Sequence, residues 1–139
     1  MTLLYTAEAL ATGDGRSGHT RTSDGKIDVD LSMPKAFGGD EVGANPEQLL
    51  AAGYAACFHG TLRLICGKVG ADIEGSAVGA RVSLTPDGDG LKLAVELEVV
   101  LPHVPLGQAR ELAEATHRQC PFSKATRGNI DVEIIIGEP

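Results

Sequence analysis

Three thiols are the side chains most capable of chemistry in this sequence: Cys57, Cys66 and Cys120. A cysteine reacts through its thiolate, so the neighbours that shift its ionisation matter as much as the sulfur itself. Cys57 lies in the apolar run Ala55-Ala56-Cys57-Phe58, where a free cysteine usually behaves as a small hydrophobe. Cys120 stands before Pro121 and is less core-like. Cys66 shares the apolar segment of Cys57 and reads as filler. From the thiols alone, inert core and redox chemistry both stay open. An odd and sparse count argues against a secreted disulfide scaffold and for a reducing compartment. Metal binding is not expected. His117-x-x-Cys120 and Cys57-x-His59 are the short Cys/His pairs, whereas structural zinc sites show two well-spaced pairs. Residues two apart on a helix, such as Cys57 and His59, do not share a face. There is no phosphate loop, and Gly13-x-Gly15 lacks the rest of a dinucleotide fingerprint.

Cys57 belongs to the strongest helix signal in the chain. Asn45 can cap, Pro46 fits the first helical position, and Gln48 lies three residues after the cap. The helix is expected over Glu47 to about Val69, apolar on most sides and therefore buried. Around it, residues 3–11 suggest a strand, and Gly13 to Gly18 a glycine-rich turn. Asp24-Gly25 marks a hairpin ahead of the alternating strand Ile27–Leu31, and 34–43 reads as a loop. Residues 72–85 form a strand, Pro86–Gly90 a turn, and Leu91–Leu101 a strand with one apolar face. A helix over 105–119 turns Leu106, Ala109, Leu112, Ala113 and Thr116 inward, ends at Cys120-Pro121, and precedes a last strand over 130–136. This order predicts an α+β fold in one domain over residues 1–139. One sheet cannot cover a helix that is apolar all round, so a homodimer is expected.

The chain has 12 Lys plus Arg against 19 Asp plus Glu, a net charge of −7. That balance makes nucleic acid and anionic membranes poor partners. The start of the chain lacks a signal-peptide pattern, and no window approaches the ~20 apolar residues of a membrane span. The expected location is the cytoplasm.

The segment Asn45-Pro46-Glu47-Gln48-Leu49-Leu50-Ala51-Ala52-Gly53-Tyr54-Ala55-Ala56-Cys57-Phe58 resembles the signature of organic hydroperoxide resistance proteins, the Ohr branch of the Ohr/OsmC family. Gly15-Arg16-Ser17-Gly18 is similar to that family's arginine turn. Leu31–Lys35 with Gly38-Gly39 is similar to its following loop, and Cys120-Pro121-Phe122-Ser123 with Arg127-Gly128-Asn129 to its second-cysteine region. The match runs in order through essentially the whole chain. It implies an OsmC-like α+β fold, antiparallel sheets wrapped around a buried central helix, and an intertwined homodimer with active sites at the interface. It implies a peroxidase acting on alkyl and lipid hydroperoxides, with Cys57 peroxidatic, Cys120 resolving, and Arg16 and Glu47 as the activating pair. No bound cofactor is implied. The reductant is an external dihydrolipoyl dithiol on a lipoylated protein.

These roles suit the residues. Cys57 is about twelve residues into its helix, beyond the reach of the helix dipole, and apolar neighbours oppose its ionisation. A guanidinium stays charged and offers several donors in a fixed fork, so Arg16 can serve sulfur while Glu47 holds it. On one helix Glu47 and Cys57 lie ~15 Å apart along the axis. That spacing leads to the expectation that Cys57 of one subunit meets Arg16 and Glu47 of the other. Phe37, Leu50, Tyr54, Phe58 and Phe122 are the candidate walls of an apolar substrate pocket. The competing readings are an OsmC-branch peroxidase, a noncatalytic binder of apolar ligands, and a thiol redox sensor.

Overall fold

A computed structural model describes residues 1–138 as two compact units, Met1–Leu49 and the chain from Leu50 onward. In the first unit, β1 (Ala9–Thr12), β2 (His19–Thr22) and β3 (Asp28–Asp30) form an antiparallel meander in that order. The β2–β3 hairpin turns at the expected Asp24-Gly25. The anticipated strand over 3–11 shortens to β1, and β2 appears where no strand was expected. Leu31 continues past β3 to a single parallel bridge with Ala44. The turn between β1 and β2 contains a short 3-10 segment, Gly15–Ser17. Gly15 has φ +63°, and a Cβ on Gly18 would lie 2.1 Å from the Thr12 carbonyl oxygen. Only glycine therefore closes this turn, which leaves Arg16 at its apex. Leu31 and Asn45 are the buried side chains of this unit, while Leu3, Leu4, Tyr5 and Leu10 are exposed. Three short strands with so little buried surface are marginal in water on their own.

The long helix α1 runs Pro46–Val69, close to its expected bounds, and the boundary between the units falls in its first turn. Asn45 caps it: the Gln48 amide donates to Asn45 Oδ1 at 2.9 Å, and the Asn45 amide donates to Gln48 Oε1 at 3.1 Å. This is a reciprocal capping box.

In the second unit, β4 (Ala77–Asp87), β5 (Gly90–Val100) and β6 (Val132–Ile136) form a sheet in that order. β4 and β5 pair antiparallel over eleven residues each. β6 pairs with β5 in parallel, Val95 opposite Val132 through Val99 opposite Ile136. The expectation of antiparallel sheets thus needs correcting at β6. Its strand is reached through α2 (Leu106–Gln119) and α3 (Pro121–Thr126), and such a helical crossover returns the chain parallel. Pro86 and Asp87, expected in the turn, instead pair with Leu91 and Gly90. β4 is an edge strand, where proline is tolerated, and the turn shrinks to Gly88-Asp89.

The core of this unit joins one stripe of α1 (Tyr54, Phe58, Leu62, Cys66) to Val95, Leu97 and Val99 of β5 and to Ala109, Leu112 and Ala113 of α2. Spacing of four residues keeps the α1 members on one face. Ala109, Leu112, Ala113 and Thr116 point inward as expected, but Leu106 and Leu91 are exposed. Burial of α1 on all sides is not met within one chain. Ala52, Ala56 and Leu64 lie outside the stripe and are exposed, Leu64 at 70%. α1 also contains an 18-residue window of mean hydropathy 1.3, enough by length and composition to cross a membrane. This corrects the expectation that no window approaches that length, and the stripe packed on β5 and α2 is a core helix's alternative use of the same composition.

Candidate active site

Arg16 and Glu47 meet in the first unit. Arg16 Nη1 donates to Glu47 Oε2 at 2.9 Å, and Arg16 Nη2 lies 2.8 Å from Oε1. This is a two-bond fork of guanidinium on carboxylate. The glycine turn supplies the arginine, and the first turn of α1 supplies the glutamate. Glu47 is 13% exposed and Arg16 46%, so the pair is anchored at its carboxylate end and open at its cationic end. The hydrogen bond from Arg16 holds the Glu47 carboxyl below its ordinary range, and the same bond raises Arg16. Five donors belong to a guanidinium and two serve Glu47, so the group has donors to offer a further anion.

Cys57 and Cys120 meet in the second unit. Their sulfurs are 3.4 Å apart although 63 residues separate them, with the Cys120 thiol donating to Cys57. Both are free thiols, in van der Waals contact and short of the ~2.05 Å of a disulfide. Cys57 projects from the middle of α1 and is partly exposed, whereas Cys120, at the joint of α2 and α3, is fully buried. Burial pushes the Cys57 thiol above its ordinary value. The main-chain amide of Phe122 pulls it back, and the Cys120 thiol adds to the upward push. None of these influences is a cation, so the second unit by itself does not supply the charge a thiolate needs near neutral pH.

A polar network that the residue types had not suggested links the elements that carry this pair. The Tyr54 hydroxyl lies 2.8 Å from Ser123 Oγ and 2.9 Å from Thr126 Oγ1. Ser123 Oγ is also 2.8 Å from His117 Nδ1. Ser123 is fully buried. Ser123 and Thr126 sit in α3, a helix hidden in the sequence because Cys120-Pro121 ends α2. The same proline occupies the first position of the next helix, where its missing N–H costs nothing.

The candidate pocket walls divide. Tyr54 and Phe58 are fully buried core, so they present no surface to a substrate and are corrected from walls to packing. Tyr54 packs against Phe122 with tilted rings, centroids 5.6 Å apart; Phe122 is 37% exposed, and its backbone amide lowers the Cys57 thiol. Leu50 is partly buried. Phe37 is half exposed and lines a separate cavity of about 320 Å³ with Ser17, Leu31 and Met33. Cys66 is buried in the α1 stripe, and burial alone raises its thiol, in keeping with its reading as filler. His59 Nε2 is taken up by Ser76 Oγ at 2.9 Å.

The family profile described as OsmC-like protein matches residues 38–135. Organic hydroperoxide resistance protein OhrB of Bacillus subtilis (strain 168) is 44% identical over 133 residues, spanning 94% of this chain and 96% of that one. Its crystal structure matches with a TM-score of 0.86 at 42% identity, over 97% of this chain and all of the other. A Legionella pneumophila protein, described as organic hydroperoxide resistance protein OsmC, predicted redox protein, regulator of sulfide bond formation, matches with a TM-score of 0.92. It is 39% identical, covering 98% of this chain and 99% of the other.

Proposed function

The chain belongs to the OsmC-like family, and on that premise we propose that it is a thiol peroxidase that reduces organic hydroperoxides. The observation that carries the reading is the thiol pair itself: two free sulfurs 3.4 Å apart, one partly open and one closed off. Their unequal access favours Cys57 as the group that meets peroxide and Cys120 as the one that waits. The relatives are organic hydroperoxide resistance proteins, which suggests organic hydroperoxides as the substrate class.

The Cys57 thiolate attacks the outer oxygen of the peroxide, the O–O bond breaks, and the alkoxide leaves and is protonated to the alcohol. Cys57 is then a sulfenic acid. The Cys120 thiol condenses with it, forming the S–S bond and releasing water, which protects Cys57 from further oxidation. A dithiol reopens the bridge by two exchange steps and leaves as its own disulfide. A dihydrolipoyl group on a protein is the reductant of this reading, with no bound cofactor, and the cytoplasm is its location.

Ionisation of Cys57 requires a cation. Arg16, held by Glu47 and open at its outer edge, fits that requirement. In this reading the chain works as a homodimer in which the Arg16–Glu47 pair of one copy serves Cys57 of the other. The thinly buried meander of the first unit and the exposed apolar residues of α1 support a second copy as the missing cover. Phe122 and Leu50 are the walls retained for the peroxide's alkyl or fatty-acyl chain.

A single-turnover oxidation tests the chemistry. Reduced protein given one equivalent of tert-butyl hydroperoxide should lose two hydrogens by intact mass, with peptide mapping placing the link between Cys57 and Cys120. Addition of dihydrolipoamide should restore them. Protein that stays reduced, or that links through Cys66, would rule the reading out.

A further inference from the structure

Ser123 ties together the two helices that carry the reactive sulfurs. Tyr54 lies three residues before Cys57 on α1, and His117 lies three residues before Cys120 at the end of α2. Both reach the same fully buried hydroxyl, Ser123 Oγ, at 2.8 Å. The hydrogen bonds can run in one consistent direction. His117 Nδ1–H donates to Ser123, Ser123 to Tyr54, Tyr54 to Thr126, and Thr126 Oγ1 donates to the Ser123 carbonyl at 3.3 Å. A second clamp acts from outside, where Arg127 Nη1 donates to the His117 carbonyl at 2.9 Å. Phe122, the residue between Pro121 and Ser123, has a backbone amide that lowers the Cys57 thiol. The turn from Cys120 to Ser123 therefore brings the resolving thiol to Cys57, and Ser123 is where that turn is fastened.

Among the described residues no buried side-chain polar atom lacks a partner, so this network is complete. A complete buried network fixes one geometry, whereas losing one member leaves others unsatisfied. Cys120 also makes the ordinary helix-end bonds, its amide to the Thr116 carbonyl at 2.8 Å and its carbonyl from the Lys124 amide at 2.9 Å. Those bonds fix the local turn. The bonds from Tyr54 to Ser123 and Thr126 tie the turn to the helix bearing Cys57.

We propose that Tyr54, Ser123 and His117 are positioning residues for the thiol chemistry, holding the turn that bears Cys120 and Phe122 against α1 and Cys120 within bonding reach of Cys57. None of the three touches the peroxide. Their effect falls on two separable quantities: the thiolate fraction of Cys57, through the amide, and the rate of condensation with Cys120, through the sulfur–sulfur distance. The proposal rests on Cys57 being the nucleophile.

The test uses full-length protein carrying Cys66→Ser. With Cys120→Ser added, ultraviolet titration reads the Cys57 thiolate alone. Tyr54→Phe and Ser123→Ala should each raise its midpoint by about one unit, a ~tenfold smaller thiolate fraction at neutral pH. Ser123→Thr, which keeps the hydroxyl, should stay near the parent. Phe122→Pro, which removes the amide donor, should match Ser123→Ala, while Phe122→Ala, which keeps it, should not. With Cys120 present, stopped-flow should show slower condensation after oxidation in Tyr54→Phe. Parent-like titration and condensation in Tyr54→Phe and Ser123→Ala would reduce the network to packing and overturn the proposal. Should Ser123→Ala fail to fold, Tyr54→Phe and the two Phe122 variants still separate positioning from packing. A parent protein in which Cys57 does not oxidise at all would instead remove the peroxidase reading, an outcome distinguishable from the first.

Discussion

In the proposed mechanism Arg16 carries the charge that the surroundings of Cys57 lack. Its fork on Glu47 fixes its direction, and burial of Cys57 works against the thiolate it must stabilise. Arg16→Ala should therefore raise the Cys57 midpoint and lower the oxidation rate at neutral pH, with part of the loss recovered as pH rises and the thiolate forms unaided. A pH–rate profile of single-turnover oxidation checks this; a uniform loss at every pH would mean that Arg16 acts on peroxide rather than on sulfur. Glu47→Gln keeps the size of the side chain but loosens the fork, and misplacement of a positioned group by ~1 Å can cost about 10²-fold. That loss should appear in the oxidation rate with the fold intact by circular dichroism. Glu47 and Cys57 were legible because they sit in one long motif, and Arg16 and Cys120 because shorter segments similar to the same family flank it in order. The hydrogen-bonded network of Tyr54, Ser123, Thr126 and His117 was not. Ser123 and Thr126 stand in a polar segment that reads as surface, and their partner Tyr54 is 69 and 72 residues away.

Among the elements, α1 was readable to within a residue because its cap, its proline and its apolar length agree. Replacing Asn45 by Ala removes one arm of the capping box and should cost about 1 kcal/mol, seen as a lower urea midpoint with an unchanged slope. Leu62→Ala, in the middle of the fully buried stripe, should cost about 2–5 kcal/mol. The mirror change at exposed Leu64 should cost far less in the isolated chain. α3 and the parallel β6 escaped the sequence for a physical reason. A proline that stops one helix can start the next, and the direction of a strand is set by the crossover before it, not by its own residues. The α2–α3 joint also carries a pH dependence. Burial holds His117 below the ordinary histidine value; Glu114 nearby raises it and Arg127 lowers it. An unfolded chain then binds the proton more readily than the folded one, so stability is full above the ordinary histidine value and falls as pH drops through the depressed one. Urea midpoints measured downward from neutral pH should show that decline, and His117→Gln should flatten it.

For the whole molecule, the exposed apolar residues of β1 and α1 bear on assembly. Sedimentation at micromolar concentration should show a dimer of the 14.4 kDa chain. Mixed dimers of Arg16→Ala with Cys57→Ser should recover activity, because one site then pairs an intact Cys57 with an intact Arg16 from the other copy. No recovery on mixing would place the pair and the thiol in the same subunit. The α+β class and the central helix were legible in the sequence, since strand and helix periods differ clearly. The cover of α1 was not, because composition shows that a face is apolar and not what lies against it. Everything proposed for this molecule depends on turnover by the thiol pair, which is read by tert-butyl hydroperoxide consumption with dihydrolipoamide in wild type, Cys57→Ser and Cys120→Ser. Wild type should consume peroxide steadily, Cys57→Ser should consume none, and Cys120→Ser should undergo a single oxidation without dithiol-supported cycling. Wild type that consumes no peroxide with its thiols reduced, or Cys57→Ser that consumes it at the wild-type rate, would refute the peroxidase mechanism.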